Sequence, residues 1–374
     1  MKKVLFVATV VKTHIMEFHL PVLELFKRNG WETAVAARND YDDPAECVIP
    51  FCDTYYDIPF EREPLRMKNM DAFRMVKRII EEGAYDIIHC HTPVGAVVAR
   101  LAAIHARRRG TKVIYTAHGF HFYDGAPLKN WLLYYPVERF LSRWTDTLIT
   151  INKEDYKRAK SSFHAKKTVY LPGVGVDLSK FDFELSVEEK AAKRTEMGVP
   201  EDAFVIMSVG ELNRNKNHEV VIRALQKLGD DNIHYCIAGK GPLHDELLRL
   251  ANSLGVSEQV HLLGYRRDVP ELYKVSDICC LSSLREGLPV ALIEAMASEI
   301  AAVAADNRGT RDLIVDGEEG FLCRHNDVSA FAERIKELHA DQMLRERLSN
   351  NAKTMVTKFA VGNVVQVLKE IYGL

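Results

Sequence analysis

The 374-residue chain has no excess of charge of either sign: 50 Lys and Arg stand against 52 Asp and Glu, a net charge of −2. That excludes a surface dominated by positive charge, and with it a protein built chiefly to hold nucleic acid. No apolar run approaches the roughly 20 residues that cross a bilayer as a helix. The N-terminal run VLFVATVV (4–11) is interrupted by Lys12 and His14. It is too short for a signal-peptide core and lacks a small-x-small cleavage site, so it reads as a buried first strand. The seven cysteines are odd in number and form no CxxC pair. They support neither a disulfide framework nor a zinc knuckle, and point to the reducing interior of a cell. Low-complexity segments and short-period repeats are also missing. With 47% apolar and 27% charged residues the composition is that of ordinary globular domains, so disordered and fibrous classes drop out. The length sets an expectation of two or three domains.

What is present is alternation. In the first half the strand-like runs are 4–11, TAVAA (33–37), DIIHCH (86–91), KVIYTAH (112–118) and DTLITI (146–151). Helical patterns lie between them, as in MEFHLPVLELFKRNG (16–30), with the regular helix expected from Pro21, and AVVARLAAIHARRRG (96–110). Alternation restarts with FVIMSVG (204–210), HYCIAG (234–239), VHLLG (260–264), DICCLSS (277–283) and IAAVAAD (300–306). This predicts an α/β chain of two parallel-sheet domains, 1–172 and 173–360. The stretch 172–200 reads as the linker and lead-in between them, and 361–374 as a segment that packs back on the first domain. Ligands of such sheets gather at the carboxyl ends of the strands, which predicts a site where two such domains face each other. Residues 1–170 carry a net +6 and the remainder −8. The basic half suits phosphates or an anionic membrane surface.

Four stretches carry candidate chemistry. In SSLREGLPVALIEAMA (282–297) a strand ends, a loop holds Glu286, Gly287 and Leu288, and Pro289 stands at the expected first turn of a helix that carries Glu294. Proline there needs no amide hydrogen, glycine lets a backbone approach a ligand, and the free amides of a helix start favour an anion such as a diphosphate. Glu286 can accept from sugar hydroxyls and Glu294 from a ribose diol. In VGELNRNKNHEVVIRAL (209–225), Arg214 and Lys216 lie near a helix N-terminus, where the macrodipole disfavours cations, and phosphate binding supplies a reason for them. The glycines of AGKGP (238–242) repeat the strand–glycine–helix form without a Walker A sequence. In the first half, His89 and His91 end one strand, and His118, with His121 beyond it, ends the next. Four histidines so placed invite a metal reading, but no carboxylate or cysteine completes a set, so polar ligand contacts or satisfied core histidines are the favoured reading. Asp40 and Asp42 sit in a polar turn. Finally, APLKNWLLYYPVERFLSRW (126–144) mixes aromatics with Lys129, Arg139 and Arg143. It fits a membrane interface or a core helix equally, with Pro136 expected to kink or split it.

On these residues the chain resembles the retaining glycosyltransferases of family 4, which have the GT-B fold of two facing Rossmann-like domains. Glu286 to Glu294 matches that family's E-x7-E signature, and KVIYTAHGFHF, GAPLKNWLLYYP, LITINKEDY, LNRNKN and SLREGL look like bacterial exopolysaccharide-biosynthesis enzymes of the EpsD type. The resemblance implies a UDP-sugar donor, transfer of a hexose or N-acetylhexosamine with retention, no metal or other cofactor, and no nucleic-acid partner. It implies a polyprenyl-diphosphate-linked glycan acceptor at the cytoplasmic face of the membrane, in exopolysaccharide or capsule biosynthesis. By the same resemblance, Glu294 holds the donor ribose, and Glu286 with Gly287, Leu288 and Pro289 holds the sugar and diphosphate. Lys216 neutralises the diphosphate, His118 contacts the sugar, and Tyr265 and Arg266 lie near the base. The family carries a basic residue five positions before the lysine; here that position is Glu211, and Arg214 is the candidate replacement. Lys12, His14, His91 and His121 are the expected acceptor contacts. Two other readings stay open at this point: an epimerase of nucleotide sugars on the same fold, and a catalytically weak scaffold subunit.

Overall fold

The structure is a computed structural model that describes residues 1–61, 63 and 66–374. The chain divides into two compact units, Met1–Gly175 together with Val361–Leu374, and Val176–Ala360. Each is a parallel sheet between layers of helices.

Unit 1 holds seven strands: β1 Lys3–Val10, β2 Glu32–Arg38, β3 Thr54–Asp57, β4 Ile87–His91, β5 Lys112–Ala117, β6 Thr147–Thr150 and β7 Lys167–Tyr170. Their spatial order is β3-β2-β1-β4-β5-β6-β7, all parallel. Unit 2 holds β8 Phe204–Val209, β9 Ile233–Ala238, β10 Val260–Gly264, β11 Ile278–Leu281, β12 Ala301–Ala305 and β13 Phe321–Cys323. Their order, β10-β9-β8-β11-β12-β13, repeats the same plan. In both sheets the winding reverses beside the first strand, between β1 and β4 and between β8 and β11. The loops leaving those pairs diverge, and this is where such sheets take ligands.

The ten strand-like runs are all strands. Three further strands, β3, β7 and β13, escape the pattern because each is an edge strand of only three or four residues. The aspartates read as strand starts lie one residue outside. Asp86, Asp146 and Asp277 immediately precede β4, β6 and β11, and Asp53 immediately precedes β3. Each carboxylate accepts the first amides of a neighbouring strand: Lys3 N at 2.8 Å, Val113 N at 2.9 Å, Val205 N at 2.8 Å and Thr33 N at 2.9 Å, respectively. These charge-assisted bonds close the amino-terminal edge of both sheets and leave the opposite edge open.

Three expectations need correction. The segment 172–200 is not only linker. Val187–Glu196 is a helix with a capping box, in which Ser186 Oγ accepts from Glu189 N and Glu189 Oε2 from Ser186 N. It buries no residue, so it has no amphipathic signal. The first helix runs Leu20–Arg28, preceded by a turn at Met16–Phe18 and a wider turn at Val11–Ile15. Pro136 does not break its helix, which is continuous over Leu128–Leu141. The carbonyl four residues earlier belongs to solvent-exposed Leu132, so water can take the place of the missing amide.

The last helix, Val361–Tyr372, lies on unit 1 through Val364, Leu368 and Tyr372, and Tyr372 packs on Phe26 with ring centroids 4.6 Å apart. Helix Leu128–Leu141 is fastened to Pro93–Ala102 by a buried ion pair. Arg100 Nη2 donates to Glu138 Oε2 at 2.8 Å, Tyr115 OH to Glu138 Oε1 at 3.2 Å, and Arg100 Nε to the Ala96 carbonyl. Removing one member strands the other charge, which typically costs about 3–5 kcal/mol. Glu138→Ala is therefore expected to destabilise unit 1 by that amount, read by urea unfolding through Trp31, Trp131 and Trp144, all of which lie in unit 1. A loss below about 1 kcal/mol would show that the pair does not hold this helix.

Candidate functional site

In unit 2 the site forms at the reversal point, from the loops that follow β8 and β11. Asn213 Oδ1 accepts from Lys216 N at 3.0 Å and turns the first loop back on itself. The second loop is bound to it: Leu284 N donates to the Asn215 carbonyl at 2.7 Å, Asn215 Nδ2 to the Arg285 carbonyl at 3.0 Å, and Ser282 Oγ to the Lys216 carbonyl at 2.8 Å. Across this join Lys216 Nζ meets Glu286 Oε1 at 2.8 Å, with the two side chains 22% and 14% exposed. The pair is screened enough to be held in place and open enough to reach a ligand.

Two close backbone approaches build the floor. A Cβ on Gly239 would lie 1.9 Å from the Gly210 carbonyl oxygen, and one on Gly309 would lie 2.9 Å from the Gly287 carbonyl oxygen. Only glycine fits either place. Arg308 Nε donates to the Glu286 carbonyl and Asn307 Nδ2 to the Ser283 carbonyl, so the turn after β12 braces the Glu286 loop from behind. The sequence reading passed over this turn as a role-bearing element, although ADNRG (305–309) is an evident strand-end motif.

Pro289 is the N-cap, with ψ 109°, and not the first helical residue; its carbonyl accepts from Leu292 N and Ile293 N. The helix proper is Val290–Ala297, and Tyr273 OH pins its start through the Ala291 carbonyl. The amides of Val290 and Ala291, its first two residues, have no acceptor within the helix. Glu294 lies one turn in, half-buried, and burial followed by its carboxylate pushes the Cys279 thiol up to about 12. Leu288 is buried. Arg214 is exposed and lines a 290 Å³ pocket with Asn213, Asn217 and His218. Glu211 accepts from Asn213 Nδ2 at 2.9 Å, so its carboxylate is occupied by the loop's own amide. Tyr265 is exposed, but Arg266 is not available as expected: its guanidinium is tied to Asp268 and to Glu196, 2.6 Å away. The sequence reading missed this because an arginine next to an exposed tyrosine looks the same whether or not a partner 70 residues away has claimed it.

In unit 1 the carboxyl ends of β1, β4 and β5 bring together a different histidine set from the one the strand ends suggested. His14, His19, His91 and His118 each offer a ring nitrogen, all within 4.8 Å of one another. His14 Nε2 and His19 Nε2 are 3.2 Å apart, and His91 Nδ1 and His118 Nε2 are 3.3 Å apart. His19 was unforeseen because it sits at the junction of two short helical segments. His89 stands outside the set, bonded to Thr116 Oγ1 and to Tyr372 OH, and His121 stacks on Tyr134. Burial holds His89 at about 3 and His118 at about 4, and lowers His14, His19 and His91 as well, with neighbouring imidazoles adding to the effect in the last three. All five are therefore neutral at pH 7.

The expected acceptor contacts separate. His14 and His121 line a 310 Å³ pocket with Thr9, Thr13, Thr92 and Tyr134. Lys12 lies beside it, its amide on Asp40 Oδ1 and its ammonium over the Tyr41 ring. His91 is only 1% exposed and lies behind this pocket, so a direct acceptor contact is not supported by its position. Helix Leu128–Leu141 has a packed side and an exposed one. Trp131, Tyr134 and Tyr135 pack on the core, while Leu128, Leu132, Leu133, Val137 and Phe140 are exposed.

The model of the glycosyl transferases group 1 family matches residues 189–355, and the glycosyl transferase 4-like model matches residues 3–152. The chain is 43% identical to EpsD of Bacillus subtilis (strain 168), over 100% of this chain and 96% of that one. It is 27% identical to the Escherichia coli UDP-Gal:alpha-D-GlcNAc-diphosphoundecaprenol alpha-1,3-galactosyltransferase, covering 82% of this chain and 80% of the relative. Among solved structures, Anabaena HepE in complex with UDP-glucose superposes with a TM-score of 0.81 at 20% identity, each chain covered in full. Two parallel-sheet units with the same strand order, a Lys–Glu pair at the reversal point of the second, and a match to both halves of the family lead to one assignment: this chain is an enzyme of the group 1 and 4-like glycosyltransferases, with the GT-B fold.

Proposed function

We propose that the enzyme transfers a sugar from a UDP-sugar to a polyprenyl-diphosphate-linked glycan, with retention at the anomeric carbon, in exopolysaccharide or capsule biosynthesis. The observation that carries the reading is the Lys216–Glu286 pair at the end of β8 and β11, beside the start of the helix that bears Glu294. The donor inserts into this pair. Glu286 turns to sugar hydroxyls, the Lys216 ammonium and the amides at Gly287 and Leu288 take the diphosphate, and Glu294 takes the ribose diol. Preorganised donors aimed at charge that develops on the leaving diphosphate are the largest catalytic contribution of such a site. This leaves the transfer no need of a metal at the diphosphate. A donor phosphate oxygen takes the acceptor proton as the new bond forms on the same face. His118 Nε2 is turned to His91, so its other ring nitrogen is the one for a sugar. The UDP in HepE and the undecaprenyl-linked acceptor in the name of the Escherichia coli relative support the substrate classes.

Unit 1 receives the acceptor at the inner face of the plasma membrane, to which the enzyme binds peripherally. No helix among the described residues is long and apolar enough to cross a membrane. The exposed Leu128, Leu132, Leu133 and Phe140, with Lys129, Arg139 and Arg143 on the same stretch, suit an anionic surface, with apolar area and charge each adding to binding.

Lys216→Ala and Glu286→Ala are each expected to lower kcat/KM by about 100-fold or more, on the order of 2.7 kcal/mol of transition-state stabilisation. The assay follows transfer from UDP-sugars to a polyprenyl-diphosphate-linked sugar; near-wild-type turnover in both variants would overturn the site. Co-sedimentation with vesicles is expected with anionic lipid, and weaker in Leu132→Glu/Leu133→Glu. Equal pelleting of both proteins would remove this helix from the membrane surface.

A further inference from the structure

We propose that His14, His19, His91 and His118 bind one divalent transition-metal ion of the zinc class, and that the ion fastens the segment after β1 to the ends of β4 and β5. This site belongs to unit 1, whereas Lys216 and Glu286 belong to unit 2, and it does not rest on the donor and acceptor reading.

The four rings come from three places in the sheet: His14 and His19 from the turns after β1, His91 from the last position of β4, and His118 from the residue after β5. One nitrogen of each lies within 4.8 Å of the others. A tetrahedral ion with Zn–N of about 2.0–2.1 Å puts its ligand nitrogens about 3.3–3.4 Å apart. One of the pairs, His14 Nε2 with His19 Nε2, already stands at 3.2 Å. The wider spacings close by rotation of rings that pack on one another.

The hydrogen bonding of the set is incomplete. His91 is 1% exposed, and its ring lies among those of Phe6, His14, His19, His89 and His118. Its Nε2 is buried without a hydrogen-bond partner. Beyond it, the set offers polar contacts chiefly of imidazole to imidazole, in which neutral rings place lone pairs toward the same space. Such crowding is unfavourable for protons, whereas a cation satisfies the lone pairs together.

The donor set selects the ion. Neutral imidazole suits Zn, Cu, Ni and Fe, and the absence of carboxylates from this set disfavours Mg and Ca. Four protein nitrogens fill a tetrahedral shell, so the site is a closed, structural one. The ion keeps its two positive charges in such a shell, and a counter-anion can stand on the His14 side, where the set reaches the 310 Å³ pocket.

The test uses the full chain stripped with chelator and titrated with Zn²⁺ and with Co²⁺ alone. The wild type is expected to take up one ion per chain, to show the visible bands of tetrahedral Co(II), and to rise in Tm on adding Zn²⁺. X-ray absorption of the zinc form is expected to show imidazole nitrogens at about 2.0 Å. His19→Asn and His91→Asn are expected to lower affinity at least 100-fold, while His244→Asn, an exposed histidine of unit 2, keeps wild-type affinity. Near-ultraviolet circular dichroism of the metal-free variants shows that unit 1 is folded. Should either variant fail to fold, the wild-type absorption spectrum decides. No uptake by the wild type, a spectrum without imidazole ligands, or uptake unchanged in a folded His19→Asn would each overturn the proposal.

Discussion

Both halves of the molecule depend on one topological constraint: the winding of each sheet reverses beside its first strand. Parallel strands joined by right-handed crossovers leave consecutive loops on the same side until the order turns, and there two loops part. In unit 2 these are the loops after β8 and β11, and Lys216 and Glu286 stand on them at 2.8 Å. In unit 1 they are the loops after β1 and β4; the first carries His14 and His19, and His91 ends β4 where the second begins. The same backbone event thus produces an ion pair in one unit and a cluster of neutral imidazoles in the other.

The opposite edge is made differently. Asp53, Asp86, Asp146 and Asp277 tie the amino-terminal ends of neighbouring strands together. Asp146 is further held by Arg107 and Lys166, and Asp277 by Arg194. Charge is thereby consumed where nothing needs to bind, and the carboxyl ends keep their polar groups for ligands. The two cations differ accordingly: Lys216, 22% exposed, meets a single carboxylate, whereas Arg266 is shared by two.

Much of this was legible in the sequence. Nine central strands and the edge strand β10 announced themselves as apolar runs, since central parallel strands are apolar on both faces, and the E-x7-E stretch was readable because strand, glycine, proline and helix follow one another locally. Three of the four edge strands, β3, β7 and β13, were not legible, since runs of three or four residues carry no period. Pro136 misled because the cost of a proline depends on whether the orphaned carbonyl meets water, which is a tertiary fact. Pro289 was placed one residue too far into its helix. The histidine set was the largest gap. The strand ends offered His89, His91, His118 and His121, and only packing shows that His89 is satisfied by Thr116 and Tyr372 while His19 lies with its ring 3.8 Å from that of His91.

The central claim is that unit 2 holds a nucleotide sugar at the join of the β8 and β11 loops. Saturation-transfer NMR against a panel of UDP- and GDP-sugars, on the wild type and on Glu294→Ala, tests it most directly. The account predicts that a UDP-sugar receives saturation from the wild type and loses it in the variant. Binding that survives Glu294→Ala, or no nucleotide sugar bound by the wild type, would contradict it.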